Sequence, residues 1–400
     1  MIIRSIDLMM TRRCNLRCAF CYINNKTDVN DPGEVERNLT IVKKVLDQWE
    51  PIPGQPDERQ VFQINLYGGE PTCAWDSVQA LVKLRNETAL PKIQLGIVSN
   101  MSLLDEEKLD YCIANRVGIH PSIDGCKEVE DMYRKTEKGE TVSDAVYANA
   151  KRLVAKLPWR SARSTVCPET VQYMFKSVKF LTEEIGFKTV NQVLAGGLTW
   201  TEKDIEGIRE QTKLITDWWL DWMRKGVHYD IYYLRNMFTG IWNPAANRNL
   251  CGAGLGRCAI DFNGNMYPCH RFCNESTPKE YLMGNIFEDG VINEELTAKL
   301  QAADIPLLHK NKCSGCPAVN SCHALCLHEM MLAGKGMFEP LDHYCEVWPI
   351  YHAEAMRAHA TLVAEKNQLY LQTYRPRPPM PRQPMQQRPP MPRPQPKETN

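Results

Sequence analysis

The sequence predicts an α/β fold followed by a small cysteine-rich domain. Three observations carry that reading. From residue 1 to about 226, short runs rich in Ile, Val and Leu alternate with longer amphipathic stretches. After residue 227 the alternation stops, and Gly, Pro, Asn and Cys become frequent. The 400 residues include 16 cysteines, too few for a disulfide scaffold and too many for core filling. Six strand–helix units in series imply a parallel sheet, either open and doubly wound or curled into part of a barrel. In both forms ligands sit at the C-terminal ends of the strands, so chemistry is sought in the loops that follow them.

Strands are expected at Ile2–Met10, Val61–Tyr67, Lys92–Val98, Val117–Ile123, Arg160–Cys167 and Thr189–Leu194, each short, apolar and in most cases followed by a turn signal. Between them the periodicity predicts helices over Pro32–Trp49, Trp75–Glu87, Leu104–Asn115, Thr141–Leu157 and Glu169–Ile185, and a longer one over Glu202–Arg224. Residues 227–371 form the second region, with a helix expected from Val347 to Leu371. A stretch so rich in small and polar residues buries little core, so metal is expected to staple it. Residues 372–400 are expected as a disordered or polyproline II tail, because Tyr374–Pro396 holds ten prolines and five arginines (Arg375, Arg377, Arg382, Arg388 and Arg393).

The charge balance excludes some functions. With 48 basic and 48 acidic side chains there is no global field to hold nucleic acid. Met1–Met10 is broken by Arg4 and Asp7, and no apolar run approaches the roughly 18 residues of a spanning helix, so no signal peptide or membrane anchor is expected. The reading is cytoplasmic, where reduced thiols point to metal.

Directly after the first strand stands Cys14-Asn-Leu-Arg-Cys18-Ala-Phe-Cys21. Three cysteines at this spacing lack the fourth local ligand of a zinc site. They can hold three corners of a cubane iron–sulfur cluster, leaving one iron open to an exogenous ligand. The second strand ends in Tyr67-Gly68-Gly69-Glu70-Pro71, where glycines let backbone approach a ligand and Glu70 offers a carboxylate. The third ends in Ser99-Asn100 and the fourth in Ser122-Ile-Asp124-Gly125.

Together these motifs resemble the radical S-adenosylmethionine (SAM) superfamily over about 220 residues. The resemblance implies a partial (β/α)6 barrel. It also implies that Cys14, Cys18 and Cys21 bind a [4Fe-4S] cluster whose open iron takes the amino and carboxylate groups of SAM. It gives Gly68, Gly69 and Glu70 the SAM amino group, gives Ser99, Asn100, Ser122 and Asp124 the ribose or methionine portion, and places Phe20 near the adenine. One departure is visible: relatives often read Thr-Asn-Gly where this chain reads Ser99-Asn100-Met101. In such enzymes one electron, from a donor such as flavodoxin or ferredoxin, cleaves a carbon–sulfur bond of the sulfonium. The 5′-deoxyadenosyl radical so released removes a hydrogen atom from the substrate, while the protein orients and shields.

Further on, Cys251 is followed by Gly264-Asn-Met-Tyr-Pro-Cys269, then by Cys313-x-x-Cys316-x5-Cys322-x3-Cys326 and Cys345. Taken alone, a Cys-x-x-Cys pair suits zinc as well as iron. The whole array resembles the SPASM domain, which carries two auxiliary [4Fe-4S] clusters. By that resemblance Cys313, Cys316, Cys322 and Cys345 bind one cluster. Cys251, Cys269 and Cys326 bind the other, with Cys258 as fourth ligand and Cys273 its competitor. The remaining Cys73, Cys112, Cys126 and Cys167 read as small buried hydrophobes. None of His270, His323, His328 and His343 is assigned as a ligand.

SPASM-bearing relatives mostly modify side chains within peptides or proteins, and the wording Tyr267-Pro268-Cys269-His270 is closest to the peptide-maturase branch. The expected activity is therefore an oxidative modification of a ribosomal peptide or protein, such as a crosslink or thioether. Sulfatase-maturating relatives place a catalytic Asp where this chain has His270, which counts against that chemistry and leaves the general base unassigned. A start of the first strand at Ile2 leaves no room for a leader-binding module, so leader recognition is expected from a separate protein, the barrel rim or the Arg-rich tail. Two other readings stand beside this one: a radical SAM dehydrogenase of a small molecule or a sulfatase-type Ser or Cys, and a non-catalytic iron–sulfur or zinc scaffold.

Overall fold

The computed structural model describes residues 3–243, 252–288, 293–302, 313–322, 326–336 and 339–375. Cys251, His323 and the Pro/Arg-rich tail beyond Arg375 lie outside the described residues.

The expected alternation is present. In chain order it runs β1 (Ser5–Thr11), α1 (Glu34–Asp47), β2 (Val61–Gly68), α2 (Trp75–Glu87), β3 (Lys92–Ser99), α3 (Glu106–Ala114) and β4 (Gly118–Pro121). Then come α4 (Lys127–Tyr133), α5 (Ser143–Lys156), β5 (Ser161–Val166), α6 (Met174–Lys179), β6 (Thr189–Leu194) and α7 (Glu202–Arg224). Strands β1 to β4 pair in parallel in sequence order, and so do β5 and β6. A parallel bridge between Ser122 and Arg163, with the Ile123 amide donating to the Arg163 carbonyl at 3.0 Å, joins the two sheets just past β4. The loops after all six strands then surround one cavity, as in a partial (β/α)6 barrel.

Burial on both faces explains why the strands read as continuous apolar runs. In β1, Ile6, Leu8 and Met10 enter the main core with Ile64, Leu66, Leu95 and Ile97. Met9, on the alternate face, packs with Ile23, Ala259 and Cys273.

Three expected helices differ. The stretch Glu169–Ile185 is a 3-10 turn (Pro168–Tyr173), then α6, then a π-helical segment (Phe180–Ile185) closed by Gly186 at φ +104°. Pro168 takes the first helical position, where its missing amide costs nothing. A short helix, α4, stands where none was expected. The helix expected from Val347 to Leu371 runs instead as one helix over Asp342–Ala364 and a second over Gln368–Tyr374. Pro349 suits a first turn and suggested a later start, but it lies inside the longer helix. Lys366 at φ +52° breaks the run, and the Asn367 side chain caps the next by accepting from the Tyr370 amide at 2.9 Å.

Beyond α7 come β7 (Asp230–Ile231), α8 (Tyr232–Trp242), β8 (Arg257–Ile260), β9 (Asn265–Tyr267) and β10 (Gly284–Asn285). They are followed by α9 (Glu294–Ala302), α10 (Leu327–Leu332), α11 (Asp342–Ala364) and α12 (Gln368–Tyr374). Strand β7 extends β6, whereas β8 returns to pair in parallel with the free side of β1, Ser5 opposite Arg257 and Ile6 opposite Cys258. The cysteine-rich region thus shares the sheet of the first region. Helix α12 is held by Tyr370, fully buried against Phe238 and Trp219. Among the described residues no helix is long and apolar enough to cross a membrane.

Candidate active site

A cavity of about 490 Å³ opens at the C-terminal ends of the strands. Its wall takes Cys14, Cys18, Phe20 and Cys21 from the loop after β1, Gly68, Gly69 and Glu70 from the end of β2, Ser99 and Asn100 from β3 and Ser122 from β4. Ten of the residues marked in the sequence therefore meet in one place.

Two backbone ladders set this arrangement. As it nears the cavity β1 bulges between Met9 and Thr11, which turns the following loop. The Gly69 amide then donates to the Thr11 carbonyl and the Glu70 amide to the Arg13 carbonyl, both at 2.8 Å. A Cβ on Gly68 would stand 2.2 Å from the Thr11 oxygen, and one on Gly69 would stand 2.2 Å from the Arg13 oxygen. The glycines therefore admit the chain's own backbone and lock Glu70 in register with Cys14. Within the cysteine loop, the Cys21 amide donates to the Cys18 carbonyl at 3.1 Å and Arg17 Nη1 to the Cys14 carbonyl at 2.6 Å. Burial pushes the Cys14 thiol up to about 12 and raises Cys18 as well, with Lys26 and Arg134 pulling the other way.

Glu70 is buried and its carboxylate is nearly saturated. Oε1 accepts from the Thr72 amide (3.1 Å), Thr72 Oγ1 (2.7 Å) and Ser99 Oγ (2.9 Å), while Oε2 accepts only from the Asn100 amide (2.7 Å). A carboxylate offers about four lone-pair sites, so Oε2 keeps capacity for one more donor, as an ammonium group supplies. Burial raises the Glu70 pKa, opposed by these donors.

Asp124 stands apart from the other marked residues. It is buried outside the cavity wall, its carboxylate held by Arg134 Nε (2.6 Å), Arg134 Nη2 (3.0 Å) and the Thr165 amide (2.8 Å). Arg134 lines the cavity, lies 5.4 Å from the Phe20 ring and is also near Glu130 at 3.5 Å. Arg134 went unmarked in the sequence, although Glu130 and Arg134 stand at the i,i+4 spacing of a paired helix face.

Three further groups of the wall were not picked out as site residues. Arg163, inward on β5, lines the cavity and enters no ion pair among the described residues. His270, next to Cys269, stacks on Tyr67 at 4.1 Å, and its Nδ1 meets Asp7 at 2.8 Å. Burial holds His270 below its ordinary value, so the contact is that of a neutral imidazole with a carboxylate. Asp7 also takes both carboxylate oxygens to Arg257 Nη2, at 2.8 and 2.7 Å. Burial alone would raise the Asp7 pKa; His270 and Arg257 together outweigh it and lower the value. The signal was a lone acid or base at an inward position of an apolar strand.

In the second region, Cys258 is fully buried in the main core and Cys273 is buried beside Met9 and Ala259. Cys313 and Cys316 share one turn, with the Cys316 amide donating to the Cys313 carbonyl at 3.0 Å. Cys326 caps α10, 3.7 Å from Arg271 Nη1, and Cys345 sits in the first turn of α11. Of the cysteines left over, Cys112, Cys126 and Cys167 are buried and Cys73 is half-buried.

The donor chemistry around the first cavity fits a cluster. A single tetrahedral ion needs its ligands to converge on one point, and no three His, Cys, Asp or Glu side chains do so among the described residues. A cubane offers separate iron corners to thiolates spaced around a wall, as Cys14, Cys18 and Cys21 are.

A strand-end cavity walled by three cysteines and a buried glutamate defines an iron–sulfur enzyme on a parallel α/β scaffold. The chain belongs to the radical SAM superfamily, which its sequence matches over residues 8–211. Residues 251–317 match SPASM, an iron–sulfur cluster-binding domain. It is accordingly a radical SAM enzyme that uses a [4Fe-4S] cluster, SAM and auxiliary iron–sulfur clusters. The cysteine-type anaerobic sulfatase-maturating enzyme of Clostridium novyi is 23% identical over 335 residues, 78% of this chain and 84% of that protein. The mycofactocin maturase of Mycolicibacterium smegmatis is 23% identical over 360 residues, 85% of this chain and 82% of that protein. Among solved structures, native anSMEcpe with bound AdoMet and Cp18Cys peptide superposes with a TM-score of 0.71 at 19% identity, covering 90% of this chain and 99% of that one.

Proposed function

We propose that this chain is a peptide maturase in which Cys14, Cys18 and Cys21 hold the SAM-binding cluster. The observation that carries the site is the spare acceptor on Glu70 Oε2, locked in backbone register with Cys14. When bound there, the cluster and SAM supply reductive cleavage of the sulfonium to a 5′-deoxyadenosyl radical that removes a hydrogen atom from substrate.

The chain's own groups bind, orient and shield. Glu70 Oε2 takes the SAM ammonium, Ser99 shares its donors with Glu70, and Asn100 and Ser122 face the ribose and methionine portion. Arg134, anchored by Asp124, presents a fixed cation for a carboxylate, and Asp124 acts through it. Phe20, against Arg134, offers a flat face to the adenine. In the second region we assign Cys313, Cys316, Cys322 and Cys345 to one auxiliary cluster and Cys251, Cys258, Cys269 and Cys326 to the other. The domains proposed are 1–226, 227–371 and a tail over 372–400.

A peptide substrate is supported by the likeness to two maturases, one of them sulfatase-directed, and by an unpaired Arg163 in the wall that suits a polar chain. Electrons left after hydrogen abstraction would pass to the auxiliary clusters, giving a net two-electron oxidation such as a crosslink or thioether. Flavodoxin or ferredoxin would supply the first electron, and a separate protein would present the leader.

The test is anaerobic incubation of reconstituted protein with SAM and dithionite, with and without the peptide encoded beside its gene. The expected result is 5′-deoxyadenosine together with a peptide lighter by two hydrogens. A small molecule oxidised in its place would refute the peptide reading. Stoichiometric zinc with no 5′-deoxyadenosine would refute the enzyme. About twelve irons are expected per chain. Cys14→Ala should abolish SAM cleavage and remove about a third of the iron; unimpaired cleavage would refute the site.

A further inference from the structure

A second cavity, of about 950 Å³, lies toward the N-terminal ends of the barrel strands. Gln63, Gln94 and His120 line it, whereas the SAM cavity begins at Tyr67 on the same β2 strand. Four residues of strand separate Gln63 from Tyr67, roughly 13 Å at the usual rise. Between the two lies a closed polar layer: Gln63 Nε2 donates to Asn65 Oδ1 at 2.9 Å, and Asn65 Nδ2 to Asp7 Oδ1 at 2.9 Å. The second cavity is therefore separate from the radical site.

Its lining is cationic without a counter-charge. Arg85, Arg116 and Arg160 face it together with His120, and no Asp or Glu lines it. Arg85 is largely engaged, donating to the Asn115 carbonyl at 2.5 Å and to Asn86 Oδ1. Arg116 and Arg160 enter no ion pair among the described residues, and Arg160 Nε is buried with no hydrogen-bond partner. The cations also oppose one another. Burial and then Arg160 lower the His120 pKa, and burial with Arg116 nearby lowers that of Arg85. Crowding guanidinium groups away from carboxylates costs free energy that a bound anion would recover. Trp159, 66% exposed, adds an aromatic face to the same wall.

We propose that this cavity binds a phosphorylated small molecule, its phosphate charge answered by Arg116 and Arg160 and a flat portion resting on Trp159. Two unspent guanidinium groups call for at least a dianion, and their planar forks match phosphate oxygens. The volume is that of a small-ligand pocket, and the amides of Gln63 and Gln94 supply neutral donors and acceptors around it.

The test is titration calorimetry on the cluster-loaded enzyme with SAM saturating, so that the radical site is covered. Inorganic pyrophosphate and ADP are the probes, and a tetra-aspartate peptide is the comparison. One-site saturable binding of pyrophosphate is expected, weakened tenfold or more by Arg160→Gln and by Arg116→Gln, and partly kept by Arg116→Lys. Trp159→Leu should weaken ADP and leave pyrophosphate unchanged. SAM cleavage to 5′-deoxyadenosine should be unchanged in all four variants, which separates this site from the catalytic reading. Absence of saturable pyrophosphate binding, binding unaltered by the Arg116→Gln/Arg160→Gln double variant, or preference for the tetra-aspartate peptide would overturn the proposal.

Discussion

At position 101 the chain holds a methionine in the left-handed region, at φ +67°, with its side chain fully buried. The sequence shows the oddity, since relatives often carry glycine there, but not its balance of energies. Left-handed backbone costs a side-chain-bearing residue about 1–2 kcal/mol. Deleting a buried methionine side chain costs about 2–5 kcal/mol. Burial wins, so Met101→Gly should destabilise the protein by about 1–3 kcal/mol, although it relieves strain. Urea unfolding of the variant checks this, and a rise in the midpoint would show that the backbone strain dominates. The turn itself is held by the Met101 amide donating to Ser99 Oγ at 3.0 Å and by the Asn149 side chain donating to the Met101 carbonyl at 2.7 Å. Such long-range partners leave no periodic trace, and the same is true of Asp124, whose partner Arg134 lies ten residues on in a loop.

Among the elements, the six strands were legible because two-sided burial writes them as apolar runs, and Thr189–Leu194 was placed to the residue. Two- to four-residue strands such as β7 and β10 were not, being shorter than any period can register. The loop after β2 was legible as a motif and misread in one physical respect. Its glycines were expected to admit a ligand, and the structure shows them admitting the backbone of residues 11–14. That difference is testable. In Gly69→Ala the new Cβ would meet the Arg13 oxygen at 2.2 Å and Cys14 Cβ at 2.8 Å, neither of which is a movable side-chain end. The loop must shift and pull Glu70 out of register with Cys14. The expected outcome is a loss of about 1–3 kcal/mol in stability together with lower iron loading, both before any SAM is added. A variant that keeps its iron and its unfolding midpoint, losing only SAM affinity, would return the glycines to a ligand-facing role.

At the scale of the whole molecule, the cysteine-rich region completes the barrel's edge as well as following it in sequence. Strand β8 covers β1, and Arg257 and His270 reach Asp7, whose side chain is fully buried. Nothing in local pattern marks this return, because β8 is four residues long and its partner lies some 250 positions away. The consequence is that Asp7 depends on both regions for its compensation. Removing one partner of a buried charge pair typically costs about 3–5 kcal/mol, since the remaining charge stays desolvated. Arg257 is partly exposed and His270 and Asn65 still serve Asp7, so Arg257→Ala should cost less, about 1–3 kcal/mol. Asp7→Asn in the same background removes the stranded charge. The double variant should therefore unfold at a higher denaturant concentration than Arg257→Ala alone, a coupling that chemical denaturation of the four proteins of the cycle measures directly. Additive losses would mean that Asp7 is compensated within the first region, and that β8 packs on the barrel without supporting its interior charge.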